Sequence, residues 1–304
     1  MDNSVMLDYL AVTIKGLAPD DVIEKILILP KEKFVLNEWG INKYQRHYAF
    51  SEIKVYFNKD WESKMGVFIE LRGQGCRQYE EYMESNVNNW VTLMKRISEC
   101  HSNVTRLDIA NDIFDDSLSV PLIYSYCKKK LCISTAKTFD YHEKSILENG
   151  EKVGEMVTIG VRGTQQWCIY NKLLEQKLDK DLSETPSSWT RAELRCWQEK
   201  ANLLAQQIKK GRPLKEIYFE AINGHYRFVS PRDKDSNRWR RKNVKWWNDY
   251  LETQEKTVLS VKRTKPTLKR SELWTEKQVS RTLGKLYVAK AESHGQEKAD
   301  SYIQ

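Results

Sequence analysis

The sequence predicts an α+β fold in which antiparallel or mixed sheets pack against helices. Strand-like and helix-like segments alternate irregularly, and hairpins join several of the strands, so a doubly wound parallel sheet is not expected. Thr105-Arg106-Leu107-Asp108 and Thr190-Arg191-Ala192-Glu193 both read threonine, arginine, apolar, acid on a predicted strand. This short repeat predicts two related β-α halves that lie side by side with their acids facing each other.

The predicted elements of the first half follow from apolar periodicity and turn residues. Pro19-Asp20-Asp21 places a proline and two acids where a helix begins, and Gly73-Gln74-Gly75 turns the chain into another helix. A structural turn is the favoured use of this glycine pair, because it is too short for a nucleotide-binding fingerprint. Strands are predicted at 8–15, 65–72 and 104–114, a hairpin at 44–58, and helices at 19–29, 76–83, 90–100 and 121–131.

The second half continues in the same mixed style. Residues 134–154 are polar and weakly patterned, which predicts a long hairpin or a loop. Strands are predicted at 156–161, 167–170 and 189–197, helices at 173–178, 198–211 and 244–254, a helix then a strand within 213–229, and a loop at 230–243.

The chain length of 304 residues suits one large domain or two small ones. We expect a main domain at 1–255, with internal halves at 1–132 and 133–255. Residues 256–304 are expected to contain a basic linker, KRTKPTLKR, a C-terminal helix over 271–291 with a serine N-cap, and a polar tail.

The charge balance points to a polyanionic partner. The formal net charge is +8 and the pI about 9.0, which favours nucleic acid over a membrane, although a merely basic soluble protein stays open. No apolar run approaches membrane-spanning length, and no secretory signal is visible. The six cysteines lack metal-binding spacing and are expected to be free thiols, so the protein is expected in the cytoplasm.

The stretch around Tyr170 is the first candidate for chemistry. Arg162-Gly163-Thr164 reads as a turn between two strands, and Tyr170 falls near the end of the second strand. A period of two would place Cys168, Tyr170 and Lys172 on one face. A lysine beside a tyrosine hydroxyl favours the phenolate or binds a phosphate, but simple packing of Tyr170 in a sheet remains open.

Alternate acids on predicted strands are the second candidate. Asp108 and Asp112 share a strand face with Arg106, and Glu193 shares a face with an arginine on either side, Arg191 and Arg195. Two interpretations stay open, an arginine-carboxylate lattice on an exposed sheet or an oxygen-ligand site for a hard divalent ion.

Glu70, on its own predicted strand, is a fourth candidate metal ligand, or else the ion-pair partner of Arg72 or Arg77. The five histidines are scattered without a His-x-His pair, so any metal must be held mainly by carboxylates.

Basic and aromatic residues cluster together in the second half of the chain. KKGRPLK, RWRRKNVKWW and KRTKPTLKR interleave cations with rings, as suits a nucleic-acid backbone with bases stacked on rings. The favoured phosphate contacts are Arg238, Arg240 and Arg241. Trp246 and Trp247 diverge on a predicted helix, so one or both could belong to the core.

Seven stretches, taken in order, resemble the Rep_trans family of rolling-circle plasmid and phage replication initiators and conjugative-element relaxases. They are DYLAVTIKG, GVFIELRGQGCRQYE, TRLDIANDIFD, TIGVRGTQQWCIYNKLLEQ, WTRAELR, RWRRKNVKWWNDYL and LWTEKQVSRTL. The most specific are GQGCRQYE and IYNKLLEQ. One departure is Trp167-Cys168, where the family often has an arginine before the tyrosine.

The resemblance implies a site-specific DNA nicking and closing enzyme. The nucleophile would be Tyr170, assisted by Lys172, and the acids of the family motifs match Asp108, Asp112 and Glu193. The implied chemistry is a 5′-phosphotyrosyl link with release of a 3′-OH, using Mg²⁺ or Mn²⁺, with Arg106, Arg191 and Arg195 contacting DNA. The implied partners are origin DNA with an extruded or single-stranded nick site and a host helicase, with a homodimer left open and no membrane. The alternative is a non-catalytic origin-binding protein that distorts DNA and recruits a helicase.

Overall fold

The computed structural model describes residues 2–62, 64–85, 89–177, 186–257 and 280–303. The chain separates into two compact units, Met1–Glu255 and Lys256–Gln304. The described part of the second unit contains two helices, Ser280–His294 and Gln296–Ile303. Tyr287 Oη donates a hydrogen bond of 2.6 Å to Asp300 Oδ1, which ties these two helices together.

The first unit is built on a ten-stranded sheet, all of whose pairings are antiparallel. The strands are β1 (Ser4–Lys15), β2 (Val35–Asn37), β3 (Arg46–Phe50), β4 (Ile53–Phe57), β5 (Val67–Arg72), β6 (His101–Ile113), β8 (Phe139–Ser145), β9 (Lys152–Val161), β10 (Gln165–Asn171) and β11 (Thr190–Trp197). Their order across the sheet is β2-β3-β4-β5-β1-β6-β11-β10-β9-β8. A separate pair joins β7 (Cys132–Ser134) to β12 (Tyr226–Phe228).

The helices of this unit follow the strands in sequence. They are α1 (Pro19–Asp21), which continues as a π-helical turn over Val22–Leu27, α2 (Gln74–Ser85), α3 (Trp90–Glu99), α4 (Val120–Lys128), α5 (Lys172–Lys177), α6 (Gln198–Lys209), α7 (Leu214–His225) and α8 (Lys245–Thr257).

Alternation along the central strands separates a helix-covered face from a polar face. On β6, Leu107 and Ile109 are fully buried in the main hydrophobic core, and Asn111 donates to Tyr250 Oη of α8 at 2.8 Å. The intervening residues, including Asp108 and Asp112, point to the other face. We call this second surface the polar face, and it carries the acids and arginines singled out in the sequence.

The α+β prediction is confirmed, and the predicted strands and helices are recovered with shifts of a few residues at their ends. The weakly patterned stretch 134–154 is largely the β8–β9 hairpin. The expected polar tail instead forms the helix Gln296–Ile303. The basic linker and the predicted serine N-cap at 271 lie outside the described residues.

The two strands with the related Thr-Arg-apolar-acid motif, β6 and β11, are immediate neighbours at the centre of the sheet. Asp112 pairs with Arg191 across the strands, and Asp108 with Arg195. The two motif strands thus lie side by side, but the expectation that the motif acids would face each other is wrong. Asp108 lies opposite Arg195 and Glu193 lies opposite Ala110, so the two acids are diagonal neighbours.

All six cysteines are free, as expected from their spacing. In the described ranges, none of the helices combines the length and apolar character that a bilayer crossing requires.

Candidate active site

Tyr170 lies on β10, between β9 and β11. The β9–β10 connection is the predicted turn, and Gly163 adopts a φ of +94° there, a conformation that disfavours residues with a Cβ. Tyr170 pairs with Met156 on one side and Arg191 on the other. This register places the phenol on the polar face, and Tyr170 Oη donates a hydrogen bond to Glu193 Oε1.

Burial and the neighbouring Glu193 carboxylate raise the pKa of Tyr170 well above its ordinary value, whereas Arg191 opposes the rise. The phenol is therefore protonated in the free protein, and its hydroxyl already donates a hydrogen bond to a carboxylate. The sequence suggested that an adjacent lysine would favour the phenolate, but burial and Glu193 favour the protonated phenol.

Lys172 does not share the strand face of Tyr170, because β10 ends at Asn171 and Lys172 is the first residue of α5. Its Nζ lies 2.6 Å from Glu175 Oε2 and 5.7 Å from the centroid of the Tyr170 ring. The helical turn thus brings the lysine back beside the tyrosine ring by a different route from the predicted strand periodicity.

Glu193 connects the tyrosine to an arginine. One carboxylate oxygen accepts from Tyr170, and the other accepts from Arg195 Nε at 2.7 Å and Nη2 at 2.6 Å. The glutamate is 4% exposed, so its carboxylate is held rigidly between the two partners.

Asp108, also buried, accepts hydrogen bonds from Arg106 at 2.5 to 3.1 Å. Burial raises the pKa of Asp108 to about 7, Arg106 opposes this shift, and the charge of Glu193 adds to it. The two carboxylates therefore repel one another across adjacent strands, and a cation between them would relieve that repulsion.

Asp112 has a different environment. Arg191 Nε and Nη2 bind its two oxygens at 2.6 and 2.7 Å, and Trp189 Nε1 donates to Oδ1 at 2.9 Å. The remaining guanidinium nitrogen of Arg191 lies 3.2 Å from Asp8 Oδ1. Asp112 thus positions Arg191 beside Tyr170.

Asp8 was missed by sequence reasoning. The β1–β6 register shifts between Leu7 and Tyr9, so Asp8 is the extra residue of a β-bulge. The bulge lets both Asp8 and Tyr9 contribute to the polar face, and burial raises the pKa of Asp8. The acid itself is visible in the sequence, but nothing in the sequence marks the bulge.

Glu70 lies on β5, which is separated from β10 by β1, β6 and β11. Tyr9 Oη donates to its Oε1, and Arg72 Nη2 lies 2.9 Å from the same oxygen. The predicted alternative pairing with Arg72 is therefore formed. The other oxygen, Oε2, is buried without a hydrogen-bond partner.

The acidic side chains near Tyr170 differ in how well they suit the expected divalent metal ion. Nowhere in the described chain do three or more histidines, cysteines or acids form a preassembled metal cluster. Asp108 and Glu193 are buried neighbouring carboxylates of the kind that suits a hard divalent ion, and an ion there would share or displace Arg106 and Arg195. The oxygens of Asp112 are likewise bound, by Arg191 and Trp189, and Glu70 lies three strands from β11.

Two open cavities flank the candidate site. One, of about 350 Å³, is lined by Tyr170, Arg195 and Met156 among others. The second, of about 370 Å³, shares Arg195 and is lined also by Arg106 and Trp197. The tyrosine and the arginines therefore border space that an extended ligand can enter.

The segment 238–247, in which arginines and tryptophans alternate with other residues, lies on the helix-covered side of the sheet. Trp247 is fully buried, and its ring centroid lies 5.8 Å from that of Trp167, which alternates with Cys168 and so faces the helices. Arg238 Nη1 donates to Lys130 O at 2.9 Å, while Arg240 pairs with Asp235.

Arg241 is likewise used within its loop, donating through Nε to Asp235 O at 2.8 Å. The structure therefore does not bring Arg238, Arg240 and Arg241 to Tyr170. It does bring Arg106, Arg191 and Arg195 together on the polar face.

Comparison with known proteins gives the geometry a context. Residues 102–304 match the Rep_trans family model, described as a replication initiation factor. The chain belongs to the Rep_trans family. Rep_trans proteins include rolling-circle replication initiators and relaxases, which nick DNA, and they generally use a divalent metal ion.

The preceding residues match a second model. Residues 4–96 match the N-terminal domain of rolling-circle replication initiation proteins. The N-terminal match ends within α3 and the Rep_trans match begins within β6. The internal halves 1–132 and 133–255 stay a prediction.

Two relatives extend the family assignment along the chain. The DNA relaxase NicK of Bacillus subtilis (strain 168) is 29% identical over 281 residues, covering 91% of this chain and 79% of NicK. A solved rolling-circle replication initiator from Geobacillus stearothermophilus has a TM-score of 0.73 and 25% identity. That match covers 84% of this chain and 97% of the solved one. The Rep_trans assignment thus holds for both sequence and fold.

Proposed function

We propose that this Rep_trans protein nicks one strand of origin DNA with Tyr170 as the nucleophile. The observation that carries the proposal is the hydrogen bond from Tyr170 Oη to Glu193 Oε1 on a polar, arginine-lined sheet face. A nucleophile joined to a carboxylate that is itself oriented by Arg195 has the arrangement of an activated hydroxyl.

In the proposed reaction, Tyr170 Oη attacks the phosphorus of one phosphodiester, and the phenolic proton passes to Glu193. The bond from phosphorus to the 3′ oxygen breaks, and that oxygen leaves as a 3′-OH after taking up a proton from water. A 5′-phosphotyrosyl link remains, and the reverse reaction rejoins the strand. No bond energy is lost to water in this exchange, which allows closing as well as nicking.

Charge development explains the surrounding cations. Arg191 and Arg195 lie on the strand beside Tyr170, and Lys172 approaches its ring from α5. These groups would neutralise the scissile phosphate and the charge that builds on its oxygens. Arg106, on the next strand, would contact a neighbouring phosphate.

Asp108 and Glu193 would hold the divalent ion, Mg²⁺ or Mn²⁺. When bound, the ion would polarise the phosphate and stabilise charge on its oxygens. Asp112 would fix the guanidinium of Arg191 rather than bind the ion. Glu70, whose Oε1 already accepts from Tyr9 and Arg72, would not hold this ion.

We also propose that the unit 1–255 contains the whole nicking site and that the arginines at 238, 240 and 241 contact duplex DNA flanking the nick. We propose a host helicase as a partner, since a nick must be extended by unwinding. A homodimer would allow two sites at one origin, and the cytoplasm is the compartment where origin DNA is found.

The direct test is to incubate the protein with Mn²⁺ and a supercoiled plasmid carrying its own coding region and flanking DNA. We expect relaxed circles and a protein-DNA band that survives denaturant. Primer extension then maps the nick. A non-catalytic origin-binding protein would shift the plasmid in native gels only, and that result would contradict the proposal.

A further inference from the structure

The polar face carries a second tyrosine whose contacts repeat those of Tyr170. Tyr9 Oη donates a hydrogen bond to Glu70 Oε1, and Arg72 binds the same carboxylate. We call this set the Tyr9 unit (Tyr9, Glu70 and Arg72), and the corresponding set the Tyr170 unit (Tyr170, Glu193 and Arg195). Each unit joins a tyrosine on one strand to a glutamate and an arginine on its antiparallel neighbour.

The repetition is visible in the sequence as well. The glutamate and arginine belong to Glu70-Leu71-Arg72 in one unit and to Glu193-Leu194-Arg195 in the other. In both segments the leucine points into the core, with 0% exposure, and the two charged residues point to the polar face. The same Glu-Leu-Arg segment therefore appears on β5 and on β11, in a different register. Arg72 lies directly opposite Tyr9, whereas Arg191, and not Arg195, lies opposite Tyr170.

Glu70 is a buried carboxylate whose two oxygens are used unequally. Its side chain is 3% exposed, Tyr9 and Arg72 both bind Oε1, and no hydrogen bond of good geometry reaches Oε2. The carboxylate also interacts with the buried Tyr56 hydroxyl and raises the pKa of that group. An acceptor of this kind is suited to receive a proton or a ligand group during a reaction.

Each tyrosine also has a cation against its ring. The guanidinium carbon of Arg106 lies 4.1 Å from the centroid of the Tyr9 ring, and Lys172 Nζ lies 5.7 Å from that of Tyr170. Arg106 additionally binds Asp108. The Tyr9 unit is therefore continuous with the carboxylates beside the Tyr170 unit, and both tyrosines are only partly buried.

The register gives the spacing of the two tyrosines. Tyr9 pairs with Asp108, Asp108 with Arg195 and Arg195 with Gln166, which is four residues before Tyr170. Three strand spacings and four residues along a strand separate the two Cα atoms by about 20 Å. A short segment of single-stranded DNA can span that distance across one face.

We propose that Tyr9 is a second DNA-attacking tyrosine, which acts while Tyr170 is occupied by its phosphotyrosyl link. Its Oη would attack the phosphorus of a second phosphodiester, and its proton would pass to Glu70. The bond to the 3′ oxygen would break, and that oxygen would take up a proton from water, giving a second 5′-phosphotyrosine and a second 3′-OH. A chain with both tyrosines can cut a second strand without first releasing the first.

The order of the two cuts follows from the positive charge around each phenol. Tyr170 is approached by Arg191, Arg195 and Lys172, whereas Tyr9 has Arg72 and Arg106. The denser charge favours Tyr170 for the first cut. This inference rests on the proposed function, because it needs a chain already joined to DNA at Tyr170.

The experiment uses two oligonucleotides that span the mapped nick position and carry different fluorophores at their 3′ ends. The full chain is reacted with the first oligonucleotide, the singly loaded adduct is purified without denaturation, and the second oligonucleotide is added. Chains are then resolved in denaturant, and peptides carrying each label are sequenced. The Tyr9→Phe variant is assessed only on chains that already carry the first label. Any effect of the substitution on the first cut therefore does not change the measured yield of the second label.

Tyr44→Phe is the matched control, since Tyr44 is a buried tyrosine in the small hydrophobic cluster against which Tyr9 packs, and it donates to Met65 O at 3.3 Å. We expect single chains with both labels, the second on the Tyr9 peptide. Their yield per loaded chain should fall at least tenfold in Tyr9→Phe and stay unchanged in Tyr44→Phe. Overturning results are an absence of doubly labelled wild-type chains, an equal yield in Tyr9→Phe, or a second label on another tyrosine. Failure of the first label to attach would instead refute the proposed function.

Discussion

Tyr170 on β10 and Glu193 on β11 are joined by a hydrogen bond from the phenol to the carboxylate, although Glu193 is not directly opposite Tyr170 in the register. Glu193 pairs with Cys168, two residues before the tyrosine on the same face. The diagonal contact leaves Arg191 directly across from Tyr170. The acceptor and the cation thus reach the phenol from the same neighbouring strand.

Removing the charge of Glu193 should disable nicking without unfolding the protein. Glu193→Gln keeps the shape of the side chain but no longer accepts the phenolic proton, and loss of a positioned base costs about 10²- to 10⁴-fold in rate. Single-turnover nicking of the mapped oligonucleotide measures this loss. Glu216→Gln, which changes an exposed carboxylate on α7, should nick at the wild-type rate. Equal rates in Glu193→Gln and the wild type would contradict the assigned role.

Substitution of Asp108 should remove binding of the divalent ion. In the wild type, Mn²⁺ should raise the thermal midpoint, because an ion that binds only the folded state stabilises it. Asp108→Asn should abolish both this shift and divalent-dependent nicking while the fold is retained. Asp249→Asn, on an exposed carboxylate of α8, provides the control. Full activity of Asp108→Asn, or undiminished wild-type nicking in excess chelator, would refute the metal assignment.

Asp112 should behave as a structural partner of Arg191. Breaking a buried ion pair by removing one charge costs about 3–5 kcal/mol, so Asp112→Asn should lower the free energy of unfolding by roughly that amount. The Mn²⁺-induced shift of the thermal midpoint should persist in this variant. Urea unfolding with and without Mn²⁺ separates the two effects. A stable Asp112→Asn variant without the Mn²⁺-induced shift would make Asp112 a metal ligand, as the sequence resemblance implied.

The arginine segment behind the sheet should contribute to DNA affinity independently of chemistry. Replacing Arg238, Arg240 and Arg241 with alanine should reduce the slope of log affinity against log salt by about one for each phosphate that the protein no longer neutralises. Titration of labelled origin duplex at several salt concentrations measures the slope. An unchanged slope would mean that these arginines act within their loop, through Lys130 and Asp235.

The sequence predicts best where a local pattern decides the structure. Alternation on β6 correctly placed Asp108 and Asp112 on one face, and the glycine turn at Gly163 correctly placed Tyr170 on a hairpin strand. The shared motif also anticipated the pairing of β6 with β11. These features depend on residues within a few positions of one another or on a repeated pattern.

Features that depend on distant pairing were beyond local patterns. The bulge at Asp8 arises where β1 pairs with β6, which lies far along the chain. Lys172 was expected to continue the strand face of Tyr170. An apolar run such as the one before it can be followed either by more strand or by the first turn of a helix, and local pattern does not separate the two. The position of the segment that contains Arg238 was likewise not given by local pattern, because packing of Trp247 against Trp167 places that segment behind the sheet. Its phosphate contacts stay a prediction.

The most direct test of the central claim is to identify the residue that carries DNA after the first cut. The protein in excess is reacted with the mapped oligonucleotide in a single turnover, the adduct is digested with nuclease and protease, and the modified peptide is sequenced. We predict the nucleotide on Tyr170, and an adduct yield at least a hundredfold lower in Tyr170→Phe, which should still bind the oligonucleotide. A first-cut nucleotide on any other tyrosine, Tyr9 included, would contradict the account.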